Sequence, residues 1–99
     1  MKHNFVVLSS DNCQPCLALK RYLADIGLSW DIKYRDSRFH PNDPTLFDAL
    51  SITSVPTIVE EVRPNEYKIR AIGYPDCQKF ARQIKFLSTP IPELGDEEE

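Results

Sequence analysis

The chain has 99 residues, 41% of them hydrophobic, which is enough for one hydrophobic core and too little for two independently cored domains. Its formal net charge is −3, and its 12 lysines and arginines are scattered instead of gathered into a stripe, which argues against DNA or RNA as a partner. The opening apolar run stops at Ser9, Ser10, Asp11 and Asn12, too early for a signal-peptide core or a membrane span, so a soluble, cytoplasmic protein is expected.

Residues 5–8 are apolar and rich in valine between polar neighbours, the pattern of a strand buried on both faces. From Cys16 onward, Leu19, Leu23 and Ile26 recur at three- and four-residue spacing until Gly27 offers a left-handed stop, which predicts a helix of about three turns. Trp30, Ile32 and Tyr34 alternate with charged residues, as in a strand, and the strand-helix-strand order favours a parallel pair. Residues 36–43 read as a loop ending in Asp43, a cap for a short helix with Pro44 at its first position and with Leu46, Phe47 and Leu50 facing inward. Residues 57–62 and 67–72 are β-rich runs about a turn-like Arg63-Pro64-Asn65-Glu66, an antiparallel hairpin that completes a four-stranded sheet. Asp76 is the expected cap of a last helix whose inner face carries Cys77, Phe80, Ala81, Ile84 and Leu87, before Pro90 and Pro92 end it. The expected organisation is one domain over residues 1–89 and an acidic, disordered tail over 90–99.

Three cysteines cannot all pair within one chain, and Cys13 and Cys16 stand as Cys-x-x-Cys where the first strand gives way to the first helix. In a reducing compartment that spacing points to reversible redox chemistry or to metal. Zinc would need four ligands, and Cys77, His3 and His40, the remaining donors, lack paired-ligand spacing, so no metal is expected. A thiolate at a helix start gains from the partial positive charge and the free N–H groups there, which makes Cys13 the expected nucleophile. Cys16, one turn later on the same side, would attack a mixed disulfide on Cys13 and release reduced substrate. Pro15 is tolerated in a first turn and stiffens it, and Gln14 is left as an exposed tuning residue. Cys77, in the first turn of the last helix, reads either as a small core residue or as a second activated thiol. Trp30, Tyr34, Phe47 and Phe80 read as core, and His3 and His40 as surface.

The order β-α-β-α-β-β-α with Cys-x-x-Cys at the first strand-helix junction resembles the glutaredoxin branch of the thioredoxin fold: an α/β fold, with a four-stranded mixed sheet and three helices. The resemblance implies a cis bond at Val55-Pro56, with the main chain of Val55 holding an extended peptide or glutathione. It also implies ligand contacts from Gly73, Tyr74 and Asp76 at the start of the last helix, where Tyr74 replaces a second glycine. Pro15 stands where glutaredoxins usually have Tyr, and residues 9–12 carry no basic side chain. These departures, with Asp11-Asn12-Cys13-Gln14-Pro15-Cys16 followed by Ala18, Lys20 and Arg21, and with Gly73-Tyr74-Pro75-Asp76, are similar to NrdH-type redoxins and to short bacteriophage glutaredoxins. The resemblance implies a monomeric thiol–disulfide oxidoreductase without a bound cofactor, recharged by thioredoxin reductase and NADPH or by glutathione, with ribonucleotide reductase as a partner. Two other readings stay open: a non-enzymatic peptide-binding module, and a glutaredoxin that holds an iron–sulfur cluster through Cys13 of two chains.

Overall fold

A computed structural model describes residues 4–88. The elements follow one another as β1 (Asn4–Ser9), α1 (Gln14–Asp25), β2 (Asp31–Tyr34), α2 (Pro44–Ala49), β3 (Thr57–Arg63), β4 (Glu66–Ile72) and α3 (Tyr74–Ser88). This is the expected order. His3, the prolines at 90 and 92, the side chain of Leu87 and the tail over 90–99 lie outside the described residues.

The four strands form one mixed sheet in the order β2-β1-β3-β4, with β1 parallel to β2 and antiparallel to β3, and β3 antiparallel to β4. Because strand side chains alternate in direction, the continuous apolar run of β1 serves two cores at once. Phe5 and Val7 join Leu19, Leu23, Ile58, Ala71, Cys77 and Ala81 beneath α1 and α3. Val6 and Leu8 join Leu46, Phe47, Ile52 and Val59 on the opposite face, beneath α2. Val7, Leu8, Leu19, Ile58 and Val59 are fully buried, each contributing about 1.5–3 kcal/mol of transfer free energy.

Local chemistry sets the helix ends. Asp43 accepts the N–H of Leu46 at 3.3 Å and Pro44 opens α2, as expected. Beyond α1, Gly27 takes φ +79°, and the N–H groups of Leu28 and Gly27 bond the carbonyls of Leu23 and Ala24 at 2.9 and 3.1 Å, a Schellman stop.

Three expectations change. Trp30 lies outside β2 and packs beside Phe5, ring centroids 4.9 Å apart. The hairpin turn is shorter than expected, since both strands extend to Arg63 and Glu66 and Asn65 takes φ +64°. Asp76 does not cap α3: the helix already begins at Tyr74, and Asp76 sits inside its first turn. Pro75 needs no N–H partner at that position, so the start moves back to Gly73, whose carbonyl accepts the N–H of Cys77 at 2.9 Å. Among the described residues, no helix is long and apolar enough to cross a membrane.

Sheet register decides what meets at one end of the domain. Ser9 pairs with Tyr34, Leu8 with Thr57, and Thr57 with Ile72. The segments leaving β1, β2 and β4 and the one entering β3 therefore emerge together.

Candidate active site

Asn12 turns the chain with φ +57°, a left-handed value that asparagine tolerates better than most residues, and delivers Cys13 to the N-cap of α1. Cys13 has extended backbone, its carbonyl accepts the N–H of Leu17 at 3.1 Å, and its Sγ accepts the N–H of Cys16 at 3.2 Å. The sulfur thus does what a capping Ser or Asp oxygen does elsewhere. Pro15 follows at the second helical position, where its missing N–H costs nothing. Cys13 and Cys16 are joined as a disulfide with Cα atoms 5.2 Å apart. Cys13 is half-buried and Cys16 is only 1% exposed, so an incoming group reaches Cys13 first. Gln14 is exposed, as expected.

The Val55–Pro56 peptide bond is cis, as the resemblance implied. The carbonyl oxygen of Val55 lies 4.0 Å from the Sγ of Cys13, which brings these two sequence-expected residues together. This segment is held from behind: Gly73 N–H donates to the Pro56 carbonyl at 2.8 Å, and Thr57 Oγ1 donates to the Ser54 carbonyl at 2.7 Å. Gly73 is therefore a support of the Pro56 segment. Tyr74 packs against the core beneath α1 and α3, and neither it nor Asp76 lines the cavity beside Cys13. Cys77 resolves to the packing alternative. It is fully buried, its thiol lies 3.5 Å from the Pro56 carbonyl and 3.7 Å from that of Ala71, and burial pushes its pKa up to about 12.

A cavity of about 300 Å³ opens on the other side of Cys13, walled by Leu17 and Lys20 of α1, by Tyr34, and by Phe39 and His40 of the loop after β2. Asp11 builds that wall. Its two carboxylate oxygens accept the Ser37 hydroxyl and the Arg38 N–H, each at 2.9 Å. Ser37 Oγ in turn accepts the N–H groups of Phe39 and His40 at 3.0 and 3.1 Å. The Arg38 N–H, then the Ser37 hydroxyl and the nearby His40 and Lys20, hold the Asp11 carboxyl below its ordinary range. Tyr34 is buried, as expected, yet it stacks on His40 at 4.3 Å and bonds the Lys20 ammonium through its hydroxyl. In the sequence, Asp11 and Lys20 bore on function only through the likeness of their segment, Tyr34 read as core and His40 as surface, and none of the four was expected to line the site. Lys20 carried a usable signal, because it lies seven residues after Cys13 and so shares its helix face. The bonds of Asp11 span 26 and 27 residues and left no local trace. Among the described residues, no cluster of three or more His, Cys, Asp or Glu side chains could hold a metal ion.

The sequence matches no protein-family model and no curated protein. Among solved structures, chloroplastic thioredoxin z, whose crystal structure is described as defining a type-specific target recognition, is similar with a TM-score of 0.54 at 23% identity, over 86% of this chain and 80% of that one. A malarial protein gives a TM-score of 0.48 at 13% identity, over 84% of this chain and 97% of that one. The mixed four-stranded sheet, its three helices and the likeness to thioredoxin z together make this a thioredoxin-like fold with a paired Cys13 and Cys16 at its first strand-helix junction.

Proposed function

We propose that this chain is a thiol–disulfide oxidoreductase that reduces protein disulfides through Cys13 and Cys16. One observation carries the reading: Cys13 caps α1 with its sulfur on a backbone N–H, while its partner Cys16 is buried one turn behind. That position favours the Cys13 thiolate over the thiol, because the helix start and the Cys16 N–H both stabilise negative charge.

In the cycle, the Cys13 thiolate attacks one sulfur of a substrate disulfide, forming a mixed disulfide and releasing the other substrate sulfur as a thiolate. The Cys16 thiolate then attacks the Cys13 sulfur, forming the Cys13–Cys16 disulfide and releasing the second substrate sulfur. Two electrons pass to the substrate. An external dithiol restores the reduced pair by the same exchange in reverse. The Val55 carbonyl, near Cys13, offers an extended substrate backbone an acceptor. No metal or organic group takes part in this cycle, and a reducing, cytoplasmic setting suits a dithiol that must be regenerated.

The narrower reading is an NrdH-type redoxin that receives electrons from thioredoxin reductase and passes them to ribonucleotide reductase. It is supported by the likeness of Asp11-Asn12-Cys13-Gln14-Pro15-Cys16 and Gly73-Tyr74-Pro75-Asp76 to that branch. The test is NADPH-driven reduction of insulin, with either thioredoxin reductase or glutathione plus glutathione reductase as the source and Cys13→Ser as the blank. Turnover with thioredoxin reductase alone supports the narrower reading. Turnover with glutathione alone returns the chain to the glutaredoxin reading, and no turnover with either source overturns the oxidoreductase proposal.

A further inference from the structure

The cavity beside Cys13 contains chemistry that disulfide exchange does not use. Cys13, Leu17 and Lys20 lie at i, i+4 and i+7 on one stripe of α1, and all three line the cavity. Opposite them stands the loop over 37–42, fixed by Asp11 and carrying Phe39, which is 79% exposed. Leu17 is 45% exposed, so the rim has an apolar side chain on each wall.

The charges in this cavity are unequal in availability. Asp11 keeps its negative charge, which His40 and Lys20 help to stabilise, but each of its oxygens is occupied by a loop donor and no ion pair ties it to Lys20. Lys20 gives one bond to the Tyr34 hydroxyl and lies over the Tyr34 ring at 4.7 Å from its centroid. An ammonium has three donors. Among the described residues, no carboxylate comes within ion-pair distance of Lys20. The cavity therefore presents a cation with donors to spare, between apolar rims, beside the proposed nucleophile.

Resting on the oxidoreductase reading, we infer that this cavity selects protein disulfides flanked by a carboxylate, with Lys20 as the cationic contact and Leu17 and Phe39 as apolar rims. Reach sets the spacing. Seven residues of helix advance about 10 Å, and helical side chains lean back toward the N-terminus, which shortens the span from the Lys20 ammonium to Cys13. An extended substrate covers about 3.3–3.6 Å per residue, so the recognised Asp or Glu lies about two or three residues from the substrate cysteine.

The test uses the full chain, reduced and freed of reductant, in single-turnover reactions with synthetic cystine peptides that carry Glu, Gln or Lys two and three residues from the disulfide. Wild type is expected to reduce the Glu peptide about twofold to fivefold faster than the Gln peptide at low salt, the range of a partly exposed ion pair, with the ratio falling toward one at high salt. Lys20→Arg should keep the preference, Lys20→Met should bring the ratio to one, and Lys20→Glu should invert it in favour of the Lys peptide. Inversion cannot come from a merely structural role of Lys20. Reduction of bis(2-hydroxyethyl) disulfide by wild type with a Glu-to-Gln ratio of one overturns the substrate selection and leaves the oxidoreductase reading standing. Reduction of no disulfide at all overturns both.

Discussion

Cys77 offers a direct measurement of how burial decides between the two readings its sequence position left open. Its pKa is raised from an ordinary 9.0 to about 12 by burial, opposed by a hydrogen bond that the Ile58 backbone N–H donates to the sulfur, with the nearby Asp76 charge adding to the rise. Three pH units reduce the thiolate fraction about a thousandfold at any pH well below 9, and only the thiolate alkylates. Because the sulfur is also fully buried, reagent reaches it only when the structure opens. In a Cys13→Ser/Cys16→Ser variant, Cys77 is the one remaining thiol, and iodoacetamide at pH 8 should modify it at least a thousandfold more slowly than a peptide thiol. Urea should restore the ordinary rate. Mass spectrometry of timed, quenched samples reads both. The same burial links stability to alkaline pH: the folded state keeps a proton that the unfolded chain loses above 9.0, so stability falls as pH rises from there toward 12. The slope owed to Cys77 is about 1.4 kcal/mol per pH unit at most, and Cys77→Ala should remove it. Labelling of folded protein within tenfold of the peptide rate would refute the buried, protonated thiol.

The roles of the paired cysteines separate in Cys16→Ser, which should accumulate a mixed disulfide on Cys13 detectable by non-reducing mass analysis; free, unmodified Cys13 after exposure to substrate would contradict that order. Asp11→Asn should speed amide exchange at Arg38, Phe39 and His40. In wild type, a carboxyl held below 3.8 keeps its loop through that pH and releases it only as pH falls further, so loss of protection above 3.8 would contradict the clamp. Arg70→Ala removes a guanidinium 2.7 Å from the largely buried Glu60 carboxylate and should cost about 1–2 kcal/mol in urea unfolding, discounted because Arg70 is over one-third exposed; a cost below 0.3 kcal/mol would mean water substitutes freely. Phe47→Ala should cost about 3–5 kcal/mol, since Phe47 is 1% exposed at the centre of the core beneath α2. A cost near 1 kcal/mol would show that α2 adds little to that core.

What was legible in the sequence was what local spacing encodes. The run at 5–8, the three- and four-residue period after Cys16, the Asp43-Pro44 start and the β-rich hairpin each carry their own period or cap, and each element formed. The edges were less legible because they depend on partners. Trp30 continues an alternating pattern, yet β2 runs only from Asp31 to Tyr34, because its pairing with β1 stops at Val6 and Asp31. The start of α3 depends on Gly73 serving the Pro56 segment through its N–H and the helix through its carbonyl, and the partner in the first bond is 17 residues away. The cavity wall is the extreme case. Asp11 and Ser37 read as ordinary turn residues, and only folding shows that one anchors the loop carried by the other.

Cys13 and Cys77 explain why position alone does not assign chemistry. Both stand at helix starts, and the dipole argument applies equally to each. Cys13 is the N-cap, outside the first turn, so its sulfur curls back onto the Cys16 N–H while one side stays open to the cavity. Cys77 is three residues inside α3, where its own N–H is taken by Gly73 and its sulfur faces the carbonyls of Pro56 and Ala71. Burial is what keeps Cys77 as the thiol, against the backbone hydrogen bond from Ile58, whereas the half-buried Cys13 sulfur meets a helix start that favours the thiolate. A shift of a few residues along a helix start thus separates a sulfur suited to attack from one that braces the segment beside the proposed nucleophile. The buried thiol of Cys77 supports Pro56 from behind while the Val55 carbonyl faces Cys13 from the front, so packing at α3 and chemistry at α1 meet on the same two residues.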